Sequence, residues 1–267
     1  MIWTTLPRFK TDNGLAVHQS GSGPALVMLH GVGLRSEAWS PLIECLRDEF
    51  SILAPDLPGH GDSQSLDGHN LSLGDYSDVI AAYLRRVETP VHLVGHSMGA
   101  MIALDIAIKF PNLVKSVCAL NAIFRRSASA LKAVQDRVAS LKNITPDTLN
   151  TTLTLERWFG KNPVGNNLRA AQSCDAWLRA TPLVDYQKAY EVFAHHDGPI
   201  AMQLATLERP ALFVTGANEP NSTPDMSHEM AKLAPMGTVE IISGAAHMMP
   251  MTHAGALAQI LTRHMKD

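Results

Sequence analysis

Two kinds of apolar pattern take turns along this chain. Short, nearly continuous apolar runs occur at "ALVMLH" (25–30), "SILAPD" (51–56), "VHLVGH" (91–96), "LVKSVCAL" (113–120), "ALFVTG" (211–216) and "TVEIIS" (238–243). Runs of this kind suit strands that are covered on both faces, as in a parallel sheet. Between several of them lie stretches with helical spacing, such as 72–87 and 251–265. Strands alternating with helices predict an α/β fold with helices flanking a mostly parallel sheet. Residues 3–9 and 15–19, joined by the turn Thr11-Asp12-Asn13-Gly14, predict two more strands, which brings the sheet to eight. Gly21-Ser22-Gly23-Pro24 breaks the chain before the next.

The rhythm stops at 123–203. Leu131, Val134, Val138 and Leu141 keep a helical period there, and strand signals are few. A stretch of this length between two strands is too long for a plain loop. The expected organisation is therefore a core built from 1–122 and 204–267, with 123–203 as a helical insertion after the sixth strand. Pro146, Pro163, Pro182 and Pro199 are expected helix starts within it. Trp158, Phe159, Trp177, Tyr186, Tyr190 and Phe193 are expected mostly to pack the insertion, with some facing whatever it covers.

Composition narrows the class. Of 267 residues, 46 % are apolar and 18 % charged, enough for a sizeable core. The formal net charge of −3 supplies no basic surface, so nucleic acid is not an expected partner. No stretch reaches the about 18 apolar residues of a membrane span, and the opening residues lack a basic head and apolar run, so no signal peptide is expected. Cys45, Cys118 and Cys174 are odd in number and far apart, which suits reduced thiols and a cytoplasmic protein. The oligomeric state stays open.

The chemistry concentrates at strand ends. Gly95-His96-Ser97-Met98-Gly99 fits G-x-S-x-G with a strand before and a helical stretch after. In so tight a turn the serine takes a strained conformation and side chains at 95 and 99 would collide with their neighbours. A serine nucleophile needs a base, which a third group orients. Among 12 histidines, His247 in Gly244-Ala245-Ala246-His247 follows the last strand, where an open α/β sheet builds its site. His96 is expected to support the turn, His253 to lie in the closing helix, and His195 and His196 to end the insertion. The third group is Glu219 or, as the alternative, Asp225 after Pro224. The loop His30-Gly31-Val32-Gly33 is placed to offer the Val32 amide to an oxyanion, with Met98 as the second donor. Trp39, Met101, Trp158 and Met248 are the expected pocket residues, the methionines because soft side chains near the motifs suit an adaptable apolar site. Arg125 and Arg126 could meet a substrate carboxylate or form a solvated basic pair. Nucleotide-binding glycine motifs and metal-ligand spacings do not occur, so neither cofactor nor metal is expected.

"VMLHGVG", "APDLPGHGDS", "LVGHSMGA", "PALFVTGANEPNSTP" and "GAAHMMP" occur in an order and spacing that resemble the α/β-hydrolase superfamily over nearly the whole chain. The likeness is greatest to small bacterial esterases, enol-lactonases and C–C hydrolases of ring-cleavage products. It implies structural roles for Asp56, Gly59, Gly61 and Ser63, and a cap at 123–203. That group usually carries Asp where this chain has Glu219. Ser97 departs from the related dehalogenases and epoxide hydrolases, which place Asp at the turn. The expected activity is hydrolysis of a small carboxylic ester or lactone through an acyl-enzyme. A C–C hydrolase, or a ligand-binding protein on the same scaffold, is the alternative.

Overall fold

A computed structural model describes residues 5–87 and 90–266. Its eight strands are β1 (Phe9–Lys10), β2 (Ala16–Ser20), β3 (Ala25–Leu29), β4 (Ser51–Pro55), β5 (Val91–His96), β6 (Val114–Leu120), β7 (Ala211–Gly216) and β8 (Gly237–Ile242). They form one sheet in the order β1-β2-β4-β3-β5-β6-β7-β8. The first two pairings, β1 with β2 and β2 with β4, are antiparallel, and every other pairing is parallel. The first strand is shorter than the pattern predicts. Residues 3 and 4 lie outside the described residues, and Pro7, which has no N–H to give a ladder, lies ahead of β1.

Successive residues of each central strand serve opposite layers. Val27 and Leu29 of β3 join Leu93, Val117 and Phe213 in one apolar layer. Leu26 and Met28 join Val94, Cys118, Leu212 and Val214 in the other. The first layer is closed by α2 (Leu73–Leu84), α3 (Met98–Lys109) and α9 (Pro224–Leu233), through residues such as Ile80, Ile102 and Met230. The second is closed by α1 (Ser40–Leu46) and α11 (Ala254–Lys266), through Leu42, Leu46, Leu257 and Leu261. Ser72 opens α2 with a capping box, its hydroxyl and amide both meeting Asp75.

Between β6 and β7 the chain holds α4 (Ala128–Leu141), α5 (Thr152–Phe159), α6 (Gly165–Ala180), α7 (Leu183–His195) and α8 (Ala201–Leu204), and no strand. Helix α4 packs on α7, and α5 on α6. Pro182 caps α7 directly and Pro146 opens a single 3-10 turn. Pro163 and Pro199 sit just ahead of α6 and α8 rather than inside them. His253 is not helical. It ends the short α10 (Met249–Thr252), ahead of α11.

A buried charge cluster holds the start of the chain to the sheet. Arg8 pairs with Glu37 and, at 2.7 Å, with Asp56, all three side chains almost wholly buried. Asp56 also accepts from the Ser36 amide (2.8 Å), the Ser36 hydroxyl (2.7 Å) and the Asp62 amide (2.9 Å). Burial alone would raise its pKa, but the Arg8 guanidinium and these donors outweigh it and hold it below the ordinary carboxylate range. Ser63 donates to the Asp56 carbonyl and accepts from Ala16, which ties this turn to β2. Among the described residues no helix is long and apolar enough to cross a membrane.

Candidate active site

Strand β5 ends at His96 and α3 begins at Met98, so Ser97 alone makes the turn. Its φ of 56° is a conformation that side-chain-bearing residues rarely hold. The strain is opposed by the Ser97 amide, which donates to Leu120 of β6 at 2.9 Å. The flanking glycines answer to crowding. A Cβ at 95 would sit 2.1 Å from the Gly99 carbonyl, and one at 99 would sit 2.1 Å from the Leu29 carbonyl. Neither neighbour is a side chain that could swing away. The first amides of α3, that of Met98 among them, have no intrahelical acceptor and point toward the turn with the positive end of the helix.

The loop after β3 closes on the same point. A Cβ at Gly31 would lie 3.1 Å from Ser97 Cβ, so the backbone at 31–32 runs beside the serine. His30 pins this loop from below: Leu57 donates to its Nε2 (2.8 Å), and its Nδ1 lies 2.8 Å from the Gly31 carbonyl.

His247 stands in the loop between β8 and α10. Its Nδ1 is 2.7 Å from Oε2 of Glu219. Glu219 follows β7, is buried, and its Oε1 accepts from the amides of Asn221 (2.8 Å) and Ser222 (3.4 Å). Burial pushes this carboxyl up, but the His247 charge and hydrogen bond and the two amides prevail, so its pKa is lowered. Asp225 is exposed in the first turn of α9, behind the capping Thr223. Of the two candidate acids, Glu219 is the one in contact with His247.

Ser97 and His247 line one cavity of about 250 Å³, together with Gly31, Val32 and Asn121. The opposite wall comes from the helical segment. Trp158 of α5 stacks on His247 with ring centroids 5.7 Å apart and planes 20° off parallel. Tyr186, Tyr190 and Phe193 of α7 continue the wall. Trp158 and these three therefore face the cavity, a larger share of the segment's aromatic residues than its sequence suggests. The reason is that α7 lies with its aromatic stripe toward the sheet's C-terminal edge.

Three expected pocket residues are elsewhere. Trp39 is buried in the sheet's second layer and meets His96 edge-on, with centroids 6.4 Å apart. Met101 lies on the face of α3 that packs into the first layer. Met248 packs with Leu34, Ala170, Cys174 and Trp177 under the helical segment. None of the three borders the cavity, because each projects from its element toward the core rather than toward the strand ends.

The cavity is cationic. Arg126, Arg137 and Arg157 border it, and among the described residues no aspartate or glutamate does. Arg126 is held by the carbonyls of His196 (2.7 Å) and Phe193 (3.1 Å) and by Asp197 at 3.3 Å. Arg137 stands beside the Tyr186 hydroxyl and Arg157 beside that of Tyr190. Burial pushes both tyrosines up, so they stay neutral and leave the guanidinium charge uncancelled. Arg125 is different: it is exposed and pairs with Glu229. Arg137 and Arg157 carry no sequence signal beyond their helical spacing. Among the described residues no group of three or more histidines, cysteines or acids could hold a metal ion.

A serine at a strained strand-to-helix turn, beside a histidine held by a carboxylate at the next strand ends, defines a protein of the α/β-hydrolase class. The sequence matches the alpha/beta hydrolase family over residues 26–260, and the chain belongs to that family. It is 35 % identical to the (E)-2-((N-methylformamido)methylene)succinate hydrolase of Acinetobacter baylyi over 255 residues, 94 % of each chain. It is 28 % identical to the 2-(acetamidomethylene)succinate hydrolase of Mesorhizobium japonicum, over 87 % of this chain and 84 % of that one. The crystal structure of an enol-lactonase from Burkholderia xenovorans has the same fold, with a TM-score of 0.80 at 18 % identity, covering 98 % of this chain and 100 % of that one.

Proposed function

We propose that the protein is a serine hydrolase acting on a small, multiply anionic acyl compound. The observation that carries the reading is the contact of His247 with Glu219 on the cavity that Ser97 also lines. Ser97 Oγ attacks the substrate carbonyl carbon while His247 Nε2 takes its proton. The negative charge that develops on the carbonyl oxygen is held by the Val32 and Met98 amides. His247 then returns the proton to the leaving group, which departs as the acyl-enzyme forms. Water, deprotonated by His247, adds to the acyl carbon and releases Ser97. Glu219 keeps the imidazole in the tautomer with the proton on Nδ1 and stabilises the imidazolium. Helices α4–α7 act as the cap, and Trp158 covers His247 from that side.

The substrate class follows from charge. Three arginines border a cavity of otherwise largely apolar lining, and guanidinium is well matched to carboxylates. By their names, the A. baylyi and M. japonicum relatives act on succinates that carry an acylaminomethylene group. We take a dicarboxylate with such an N-acyl group as the favoured substrate. A neutral ester or lactone is the second reading, favoured by the apolar wall of Trp158, Tyr190 and Phe193. The test is a panel: both acylaminomethylene succinates, their neutral diesters, p-nitrophenyl acetate and an aromatic lactone. The favoured reading expects kcat/KM for a dicarboxylate to exceed that for its diester by at least about 100-fold, the scale of two charge-assisted hydrogen bonds that the diester cannot form. Equal values for acid and diester would leave the neutral ester or lactone as the substrate.

A further inference from the structure

The His247 carbonyl is held as well as its ring. A carbonyl oxygen has two lone pairs. One accepts from His96 Nε2 at 2.8 Å and the other from Asn121 Nδ2 at 2.6 Å. His96 ends β5 and Asn121 follows β6, so the donors come from adjacent strands. Both side chains are almost wholly buried. We infer that His96 and Asn121 are positioning residues, which clamp the His247 backbone and so fix where its imidazole meets Glu219. The inference rests on the serine-hydrolase reading above and adds to it the device that aims the base.

Three features of the surroundings fit this role. First, a carbonyl can only accept, so His96 must carry its proton on Nε2. Burial, with the neighbouring His247 adding to it, pushes its pKa down to about 3, so the donor stays neutral near pH 7. Its ring is braced by Trp39 on one side and tilts against His247 on the other, with centroids 4.8 Å apart. Second, Asn121 holds a left-handed backbone at φ 51°, a conformation that asparagine tolerates better than most residues. Its amide donates to Val214 of β7 at 2.8 Å, so the strained residue is anchored. Third, Asn121 joins the base to the acid. Thr215 Oγ1 lies 3.0 Å from Asn121 Oδ1 and 2.6 Å from the Ser222 carbonyl, and the Ser222 amide reaches Glu219. The Asn121 amide thus has its nitrogen on the histidine loop and its oxygen in the network of the acid loop.

Variants of both residues test the clamp. His96→Leu removes the donor, and His96→Gln keeps one near the Nε2 position. Asn121→Gly removes the other donor while accepting the positive φ. His96→Leu and Asn121→Gly are expected to lower kcat by roughly 10- to 100-fold, the scale set by small misplacements of reacting groups. His96 does not border the cavity, so KM of His96→Leu should stay within about twofold, and His96→Gln should recover most of kcat. The downfield proton resonance expected for the His247 Nδ1–H in the wild type should shift or vanish in His96→Leu and return in His96→Gln. A role in stability alone would lower Tm and leave that resonance and kcat unmoved, which would overturn the inference. A nitrogen-correlated NMR spectrum of the wild type needs no variant: it should show neutral His96 protonated on Nε2 from pH 5 to 8, and a proton on Nδ1 would overturn it. Fluorophosphonate labelling separates the two levels. Unlabelled Ser97 in the wild type sinks the serine-hydrolase reading. Labelled Ser97 with wild-type rates and resonance in both donor-deleting variants sinks only the clamp.

Discussion

His247 and Glu219, 28 residues apart in the chain, meet at 2.7 Å between Nδ1 and Oε2. The two loops that carry them follow the neighbouring strands β8 and β7, so the sheet itself sets their separation. The contact leaves Nε2 of the imidazole free to face the cavity that Ser97 lines. Glutamate reaches this point because its own Oε1 is fastened by the amides two and three residues on.

Removing that carboxylate charge while keeping its shape should cost activity rather than folding. Glu219→Gln is expected to lower kcat by about 10³- to 10⁴-fold, as expected when an imidazole loses its orienting anion. Asp225→Asn, on the exposed first turn of α9, should leave kcat within about twofold, a surface change with at most a small capping effect. Steady-state kinetics of the two variants decides between them, and a large loss for Asp225→Asn would reassign the acid.

The arginines of the cavity make a separable claim. Arg137→Met and Arg157→Met should each raise KM for a dicarboxylate by roughly 10-fold or more, the scale of one charge-assisted hydrogen bond. Hydrolysis of p-nitrophenyl acetate should change little. Equal losses on both substrates would show that these residues shape the cap rather than bind charge.

Arg8 is expected to be a stability residue. Arg8→Met leaves Glu37 and Asp56 buried without their cation, which costs about 3–5 kcal/mol. In a chain of this size that lowers Tm by roughly 10 °C, read by calorimetry. A change of under about 2 °C would mean that Arg35 and Ser36 suffice to hold the two acids.

Acid should destabilise the fold well before its surface carboxylates titrate. Burial lowers His30 and His96 to about 3, with the charges of His60 and His247 respectively adding to it, and burial lowers His92 to about 4. Unfolded, each titrates near about 6.5. The unfolded chain therefore binds more protons below that pH, and stability falls as pH drops from about 6.5 toward the folded values. At pH 5 His30 and His96 each remove up to about 2 kcal/mol. Glu219, depressed when folded, contributes stability above its unfolded value that is lost lower still, as pH falls through its folded pKa. Tm should drop by roughly 5–10 °C between pH 7 and pH 5, and a constant or rising Tm would contradict the burial of these rings as neutral species.

The strand ends were legible because backbone crowding restricts residue type there. Gly95 and Gly99 face carbonyl oxygens, so only glycine fits, and the serine between them is marked by its neighbours. The parallel strands were legible for a similar reason, since both faces of β3 and β5 are covered and each reads as a nearly continuous apolar run. Side-chain direction was not legible. Proximity to a motif cannot say that Met101 and Met248 turn into the core. The cationic part of the cavity's outer wall was hidden too, because Arg137 and Arg157 lie on helices whose seating over the sheet depends on long-range packing. Asn121 was missed for want of any motif. Its one signal is a polar residue directly after the apolar run of β6, at a sheet edge where such residues face the site.

Whether Ser97 is an activated nucleophile is decided by treating the wild-type protein with a fluorophosphonate probe and mapping the modified peptide by mass spectrometry. A single adduct on Ser97 is expected, formed rapidly at pH 7.5 and slowed by orders of magnitude in Glu219→Gln. No adduct, or one on another residue while Ser97 stays unmodified, would contradict the assignment.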